Sequence, residues 1–131
     1  MSGNSKAWQG IPELPFVHHN SYTGEDVLVQ LTFVNSSGVP TQPTSLQYEV
    51  DSLTVNQNLV PVTIVTTTGP VVIVQLPASL MVNTRNFLGQ ETLQALFTAV
   101  IPDANAASGS ITKRCLVIID LVNIATPSGN A

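Results

Sequence analysis

Asp26-Val27-Leu28-Val29-Gln30-Leu31-Thr32-Phe33 is the stretch that decides the fold. Val27, Val29, Leu31 and Phe33 alternate with Leu28, Gln30, Thr32 and Val34. A period of two puts alternate side chains on opposite faces of an extended backbone, so this segment predicts a strand with one face buried. The turn chemistry of Asn35-Ser36-Ser37-Gly38-Val39-Pro40 ends it. Working outward, Leu46, Tyr48 and Val50 alternate with Gln47, Glu49 and Asp51. Residues 53–58 predict a loop or short ribbon, and alternation resumes at Val60, Val62 and Ile64. Thr66-Thr67-Thr68-Gly69-Pro70 predicts a hairpin into residues 71–76, where β-branched residues dominate both faces and Pro77 closes the strand. Residues 78–89 carry Leu80, Met81, Phe87 and Leu88 among polar groups, and suit an irregular or one-turn helical crossover between sheets.

Two longer segments follow. Leu93, Ala95, Phe97 and Ala99 share one face of residues 90–101, with Thr92, Gln94 and Thr98 on the other. After a polar turn at 102–109, Ile111, Lys113, Cys115, Val117, Ile119 and Leu121 share one face of a last strand. The run Leu116–Ile119 is apolar on both faces, which implies a central strand or an edge covered by a partner. Six or seven short strands with turns between them and no amphipathic helix predict an all-β fold, closed as a Greek-key sandwich.

The chain of 131 residues is long enough for one core without disulfides or a structural metal. Apolar residues make up 44% of it and charged residues only 9%, against about 25% in ordinary soluble domains. Obligate interfaces are depleted in charge at their centres, so the deficit points to a homo-oligomer or a larger assembly. The competing reading is a small domain kept soluble by Thr, Ser and Asn. With a net charge of −4, the four cations Lys6, Arg85, Lys113 and Arg114 are too few and too scattered to neutralise a phosphate backbone, so no nucleic-acid partner is expected. No basic and apolar signal segment opens the sequence, and no apolar run nears the roughly 20 residues of a membrane span. Cys115 is the only cysteine, which fits a reducing compartment, and its strand setting predicts a buried, inert thiol.

Residues 1–24 hold Gly3, Gly10, Pro12, Pro15 and Gly24 with isolated large groups and no period, and predict an extended N-terminal arm rather than a helix or strand. Its apolar anchors Trp8, Ile11, Leu14, Phe16 and Tyr22 would cost free energy in water, so the arm is expected to dock on a neighbouring subunit or to fold back over its own sandwich. These five are interface candidates, aromatic anchors being the usual source of interface energy. Lys113 and Arg114 join them, either as gatekeepers against edge pairing or as salt-bridge partners for a neighbour.

No constellation commits the chain to catalysis. His18 and His19 are adjacent, and on an extended segment they point in opposite directions, so they cannot readily chelate one ion. Glu49 and Asp51 share a strand face without the acidic loop that a calcium site needs, and read as a solvated sheet face. Ser36-Ser37-Gly38 and Ser108-Gly109-Ser110 lack the spacing of a nucleophile elbow or a phosphate loop. No catalytic residue, metal or cofactor is therefore expected.

The order of Asp26–Phe33, Ser37-Gly38-Val39-Pro40, Leu46-Gln47-Tyr48-Glu49-Val50 and Val71-Val72-Ile73-Val74-Gln75-Leu76-Pro77-Ala78 resembles the small immunoglobulin-like domains among virion proteins of tailed bacteriophages, including capsid decoration, neck and tail components. The resemblance covers roughly residues 25–124, leaving residues 1–24 as the arm and 125–131 as a loose tail. It implies a non-enzymatic virion structural protein, made in the host cytoplasm, that meets neighbouring capsid or tail subunits through its arm and sandwich edges. The competing class is a binding module for carbohydrate or a host surface. Loop aromatics would favour that class, and the turns at 35–43, 66–70 and 102–109 contain none.

Overall fold

The computed structural model describes residues 16–82 and 90–122, with the side chains of Phe16 and Val122 outside the description. It is all-β. The strands are β1 (Phe16–Tyr22), β2 (Val27–Thr32), β3 (Ser45–Ser52), β4 (Gln57–Ile64), β5 (Val71–Leu76), β6 (Gln90–Pro102) and β7 (Ser110–Val122). A five-stranded sheet of order β1-β7-β6-β3-β4 faces a two-stranded sheet of β2 and β5. The arrangement is consistent with an immunoglobulin-like β-sandwich.

Period-two alternation predicted the core. Val27, Val29, Leu31 and Phe33 are buried on one layer with Val72, Val74 and Leu76 beside them. Leu46, Val50, Leu93, Ala95, Phe97, Ala99, Val117, Ile119 and Leu121 oppose them from the larger sheet. At the centre, Tyr48 and Phe97 are register partners on β3 and β6 and stack with ring centroids 5.5 Å apart. Such a pair adds to the area that it buries.

The turns follow their local chemistry. Asn35 accepts the Ser37 and Val39 amides through its side-chain oxygen at 2.9 and 3.0 Å, and Gly38, at φ +79°, takes the left-handed conformation needed to close the turn. The passage after β5 begins with Leu80 N–H bonding Pro77 C=O and Met81 N–H bonding Ala78 C=O, a tight turn that delivers Leu80 and Met81 to the core. Residues 83–89 of that passage lie outside the described residues.

Within the stretch read as an extended arm rather than a strand, the structure corrects residues 16–22. Phe16–Tyr22 is a strand of the sandwich, paired in parallel with Leu116–Val122. The reason lies in β7, which has two edges to satisfy: β6 pairs along its whole length on one side, and β1 takes its second half on the other. Backbone groups left unpaired at that apolar edge would be costly, and β1 supplies their partners. Leu116–Ile119 is thus apolar on both faces because it runs centrally, as one of the two sequence readings required. Residues 1–15 and the tail at 125–131 lie outside the described residues.

Strand β4 departs from its pattern. Its register with β3 shifts around Val50, and Val62 and Ile64 are exposed although they alternate with polar positions. Thr63 stands opposite inward-facing Tyr48 and Val60 opposite inward-facing Val50, so the extra residue between them reverses the strand's parity and leaves Ile64, opposite Gln47, on the outer face of the sheet.

Candidate interaction surface

Three surfaces bear on function, each built by strand parity. The first is the outer face of the small sheet. With Val27, Val29 and Leu31 turned inward, Leu28, Gln30 and Thr32 point out, and their register partners are Gln75, Ile73 and Val71. Leu28 is 66% exposed, Ile73 60% and Val71 47%. Leu28 and Ile73 are diagonal neighbours across the two strands, and none of the six outward residues is charged. At the far edge of the larger sheet, Ile64 is 72% exposed and Val62 53%. Scattered exposed apolar residues are ordinary, whereas an uncharged face with several together marks a contact surface.

The second surface is an apolar groove of about 300 Å³ along β2, walled by Leu31, Phe33, Phe97, Ala99, Ile101 and Cys115. Lys113 and Arg114 stand at its border, both exposed, in the part of β7 that precedes the β1 pairing. Among the described residues that part of β7 has a neighbour on one side only, the place where a charged edge discourages unwanted pairing. Cys115 is half-buried in the wall, and its burial pushes the thiol pKa up, away from the reactive thiolate.

The third is a polar cluster at the opposite end. His18 on β1 bonds one carboxylate oxygen of Asp120 on β7, and the Thr92 hydroxyl on β6 donates to the other at 2.9 Å. Both bonds, the His18 one foremost, hold the Asp120 carboxyl below the usual carboxylate range. The arrangement braces three neighbouring strands. Thr92 donates to Asp120 rather than to His18, so the hydroxyl and the imidazole do not form a nucleophile and base pair. On the inner face nearby, Glu91 is buried with Ser21 and Ser52. Glu91 and Ser21 flank Leu121 across β6, β7 and β1.

A further carboxylate ties the turns together. Asp103, also buried, accepts the Ser36 amide at 2.8 Å and the Asn105 amide at 2.9 Å. Bonding to Ser36, and then to Asn105, lowers its pKa. Asp103 and Asp120 therefore carry the same linkage. Their folded pKa values lie below the ordinary value of 3.8, so their contribution is full above that pH and is lost as pH falls through the depressed folded values. Thermal unfolding followed from neutral pH into strong acid should show a falling midpoint below about pH 4, less steep in Asp103→Asn and Asp120→Asn.

Of the interface candidates, Trp8, Ile11 and Leu14 lie outside the described residues. Phe16 opens β1, Tyr22 closes it half-exposed, and Lys113 and Arg114 border the groove. These last four therefore gather around β1 and β7. His18 and His19 fall on opposite faces of β1 and only His18 meets Asp120. Glu49 and Asp51 are half-buried on the outer face of β3, and Asp51 accepts the Asn58 side-chain amide at 2.7 Å. Among the described residues no group of three or more His, Cys, Asp or Glu could hold a metal ion. No described helix is long and apolar enough to cross a membrane.

Sequence reasoning missed the outer face of the small sheet, Glu91 and Asp103. Parity could have found Glu91, which stands two residues before Leu93 on the core-facing side. Comparison with protein-family models, with characterised proteins and with solved structures found no match.

Proposed function

We propose that this chain is a non-enzymatic structural protein that assembles with neighbouring subunits, and that the assembly is a bacteriophage virion, the setting of the domains that residues 25–124 resemble. The observation that carries the reading is the uncharged outer face of the small sheet, with Leu28 and Ile73 each at least 60% exposed. Burying such side chains against a neighbour is favourable by about 25 cal/mol per Å² removed from water. The exposed apolar edge at Val62 and Ile64 supports it independently, as does a charge content of only 9%.

The test is the solution mass of the intact chain over a range of concentrations, by light scattering after size separation. The wild type should exceed the monomer mass, and Leu28→Lys with Ile73→Lys should lower it without lowering the thermal midpoint by more than about 0.5 kcal/mol equivalent, as surface changes do. A wild type that stays monomeric at every concentration would remove self-assembly through this face.

A further inference from the structure

We propose that β5 pairs edge to edge with β5 of a second copy, antiparallel about a two-fold axis that sets Ile73 opposite the second copy's Ile73. The inference rests on the reading of the chain as self-assembling, and names the strand and the register through which two copies meet.

The first observation is which backbone groups β5 leaves open. β2 and β5 keep one register from Val27 opposite Leu76 to Thr32 opposite Val71, and just beyond it Phe33 N–H bonds Pro70 C=O at 2.8 Å. Bonded pairs alternate along an antiparallel ladder, so the amides and carbonyls of Val72, Val74 and Leu76 turn to β2 while those of Val71, Ile73 and Gln75 turn away. Among the described residues β5 pairs with β2 alone. A row of open donors and acceptors on a regular strand is a template for another strand.

The second is the contrast with the other open edges among the described residues. β4 is interrupted by Pro61 and by its register shift against β3. The first half of β7 carries Lys113 and Arg114, which also border the groove along β2. β1 runs polar from His18 to Ser21. Val71–Leu76 has no charge, no proline and no bulge, the devices by which edges discourage pairing.

The third identifies the occupant as a second copy. A two-fold contact sets a strand against itself, so that a charge on it would work against its own counterpart, and β5 has none. Setting Val71 opposite Gln75, Ile73 opposite Ile73 and Gln75 opposite Val71 lets each of the three residues donate once and accept once, which uses every open group of the strand. The two small sheets then form one four-stranded sheet, and the exposed Ile73 side chains cover one another on its outer face.

Gln75→Pro tests the pairing, because the Gln75 N–H points away from β2 and its loss leaves the bonds between β2 and β5 in place. In light scattering after size separation, the wild type should run as a dimer or a multiple of one, and Gln75→Pro should have half its mass. In parallel, Ile73→Cys and Leu28→Cys are each combined with Cys115→Ser, which removes the single native cysteine, and oxidised with glutathione disulfide. The Cα atoms of a bonded antiparallel pair stand about 5.5 Å apart, within disulfide reach, whereas Leu28 and its counterpart would lie three strand spacings apart, about 14 Å or more. Ile73→Cys should therefore cross-link at least about tenfold faster than Leu28→Cys. Should Gln75→Pro fail to fold, the cysteine comparison decides alone. An oligomeric wild type whose mass survives in folded Gln75→Pro, or whose Ile73→Cys variant cross-links no faster than Leu28→Cys, would overturn this inference and leave assembly through the outer face standing. A wild type that is monomeric at every concentration would overturn both.

Discussion

Phe97→Ala is expected to destabilise the domain by about 3–5 kcal/mol, the usual cost of removing a buried aromatic ring and leaving its cavity. Phe97 is 2% exposed, sits on the long central strand β6, and stacks on Tyr48 of β3. It also walls the groove beside β2, so its loss would enlarge an existing space, and the surrounding side chains would have little to collapse against. A domain of this size holds a net stability of about 5–15 kcal/mol, so the variant should lose a large fraction of it and unfold at a clearly lower denaturant midpoint with an unchanged slope. Tyr48→Phe separates ring packing from the hydroxyl and should cost little. If Phe97→Ala unfolded within about 1 kcal/mol of wild type, the two-sheet packing around β6 would be wrong.

Deleting residues 1–22 should be nearly as damaging, for a different reason. The deletion removes β1 and exposes the backbone edge of Leu116–Val122, seven paired positions that include the run Leu116–Ile119, apolar on both faces. Each ladder hydrogen bond contributes about 0.5–1.5 kcal/mol net, so the total reaches several kcal/mol. The newly bared edge is also a template for pairing with another chain. The expected outcome is a lower thermal midpoint together with concentration-dependent aggregation, read by scattering during the melt. A truncated chain as stable and monodisperse as the intact one would show that β1 adds nothing to the sheet. Loss of the His18 bond to Asp120 goes with the same deletion, so His18→Ala should reproduce only a small part of the effect.

Both results bear on function. A sandwich whose strand β7 is sealed by its own β1 still has the outer face of β2 and β5 and the β4 edge among its exposed apolar surfaces. An assembly contact is then a matter of side-chain burial on these faces, and need not take β1 from its sheet.

Strand identity and the inward face were legible in the sequence wherever a strand buries one side. Val27, Val29 and Leu31 of β2, and Leu93, Ala95, Phe97 and Ala99 of β6, announce their burial by parity alone, because a pleated backbone sends successive side chains to opposite faces. The turn at Asn35–Val39 was equally local, since its hydrogen bonds run between residues a few positions apart. The surface candidates were only partly legible. Lys113 and Arg114 could be placed at an apolar strand, but not beside a groove made by β2 and β6.

What the tertiary structure alone decided is which strands meet and what is left uncovered. Residues 16–22 carry no apolar alternation because an edge strand is held mainly through backbone bonds, and these are blind to side-chain identity. For the same reason His18 finds Asp120, 102 positions away, only once parallel pairing sets the register. Val62, Ile64, Leu28 and Ile73 read as apolar in any sequence analysis. Leu28 and Ile73 face outward because Val27, Val29, Val72 and Val74 beside them take the core side, and Ile64 because an extra residue in β4 reverses its parity against β3; which side of each strand meets the other sheet is set by the packing of the two sheets, which no local pattern encodes.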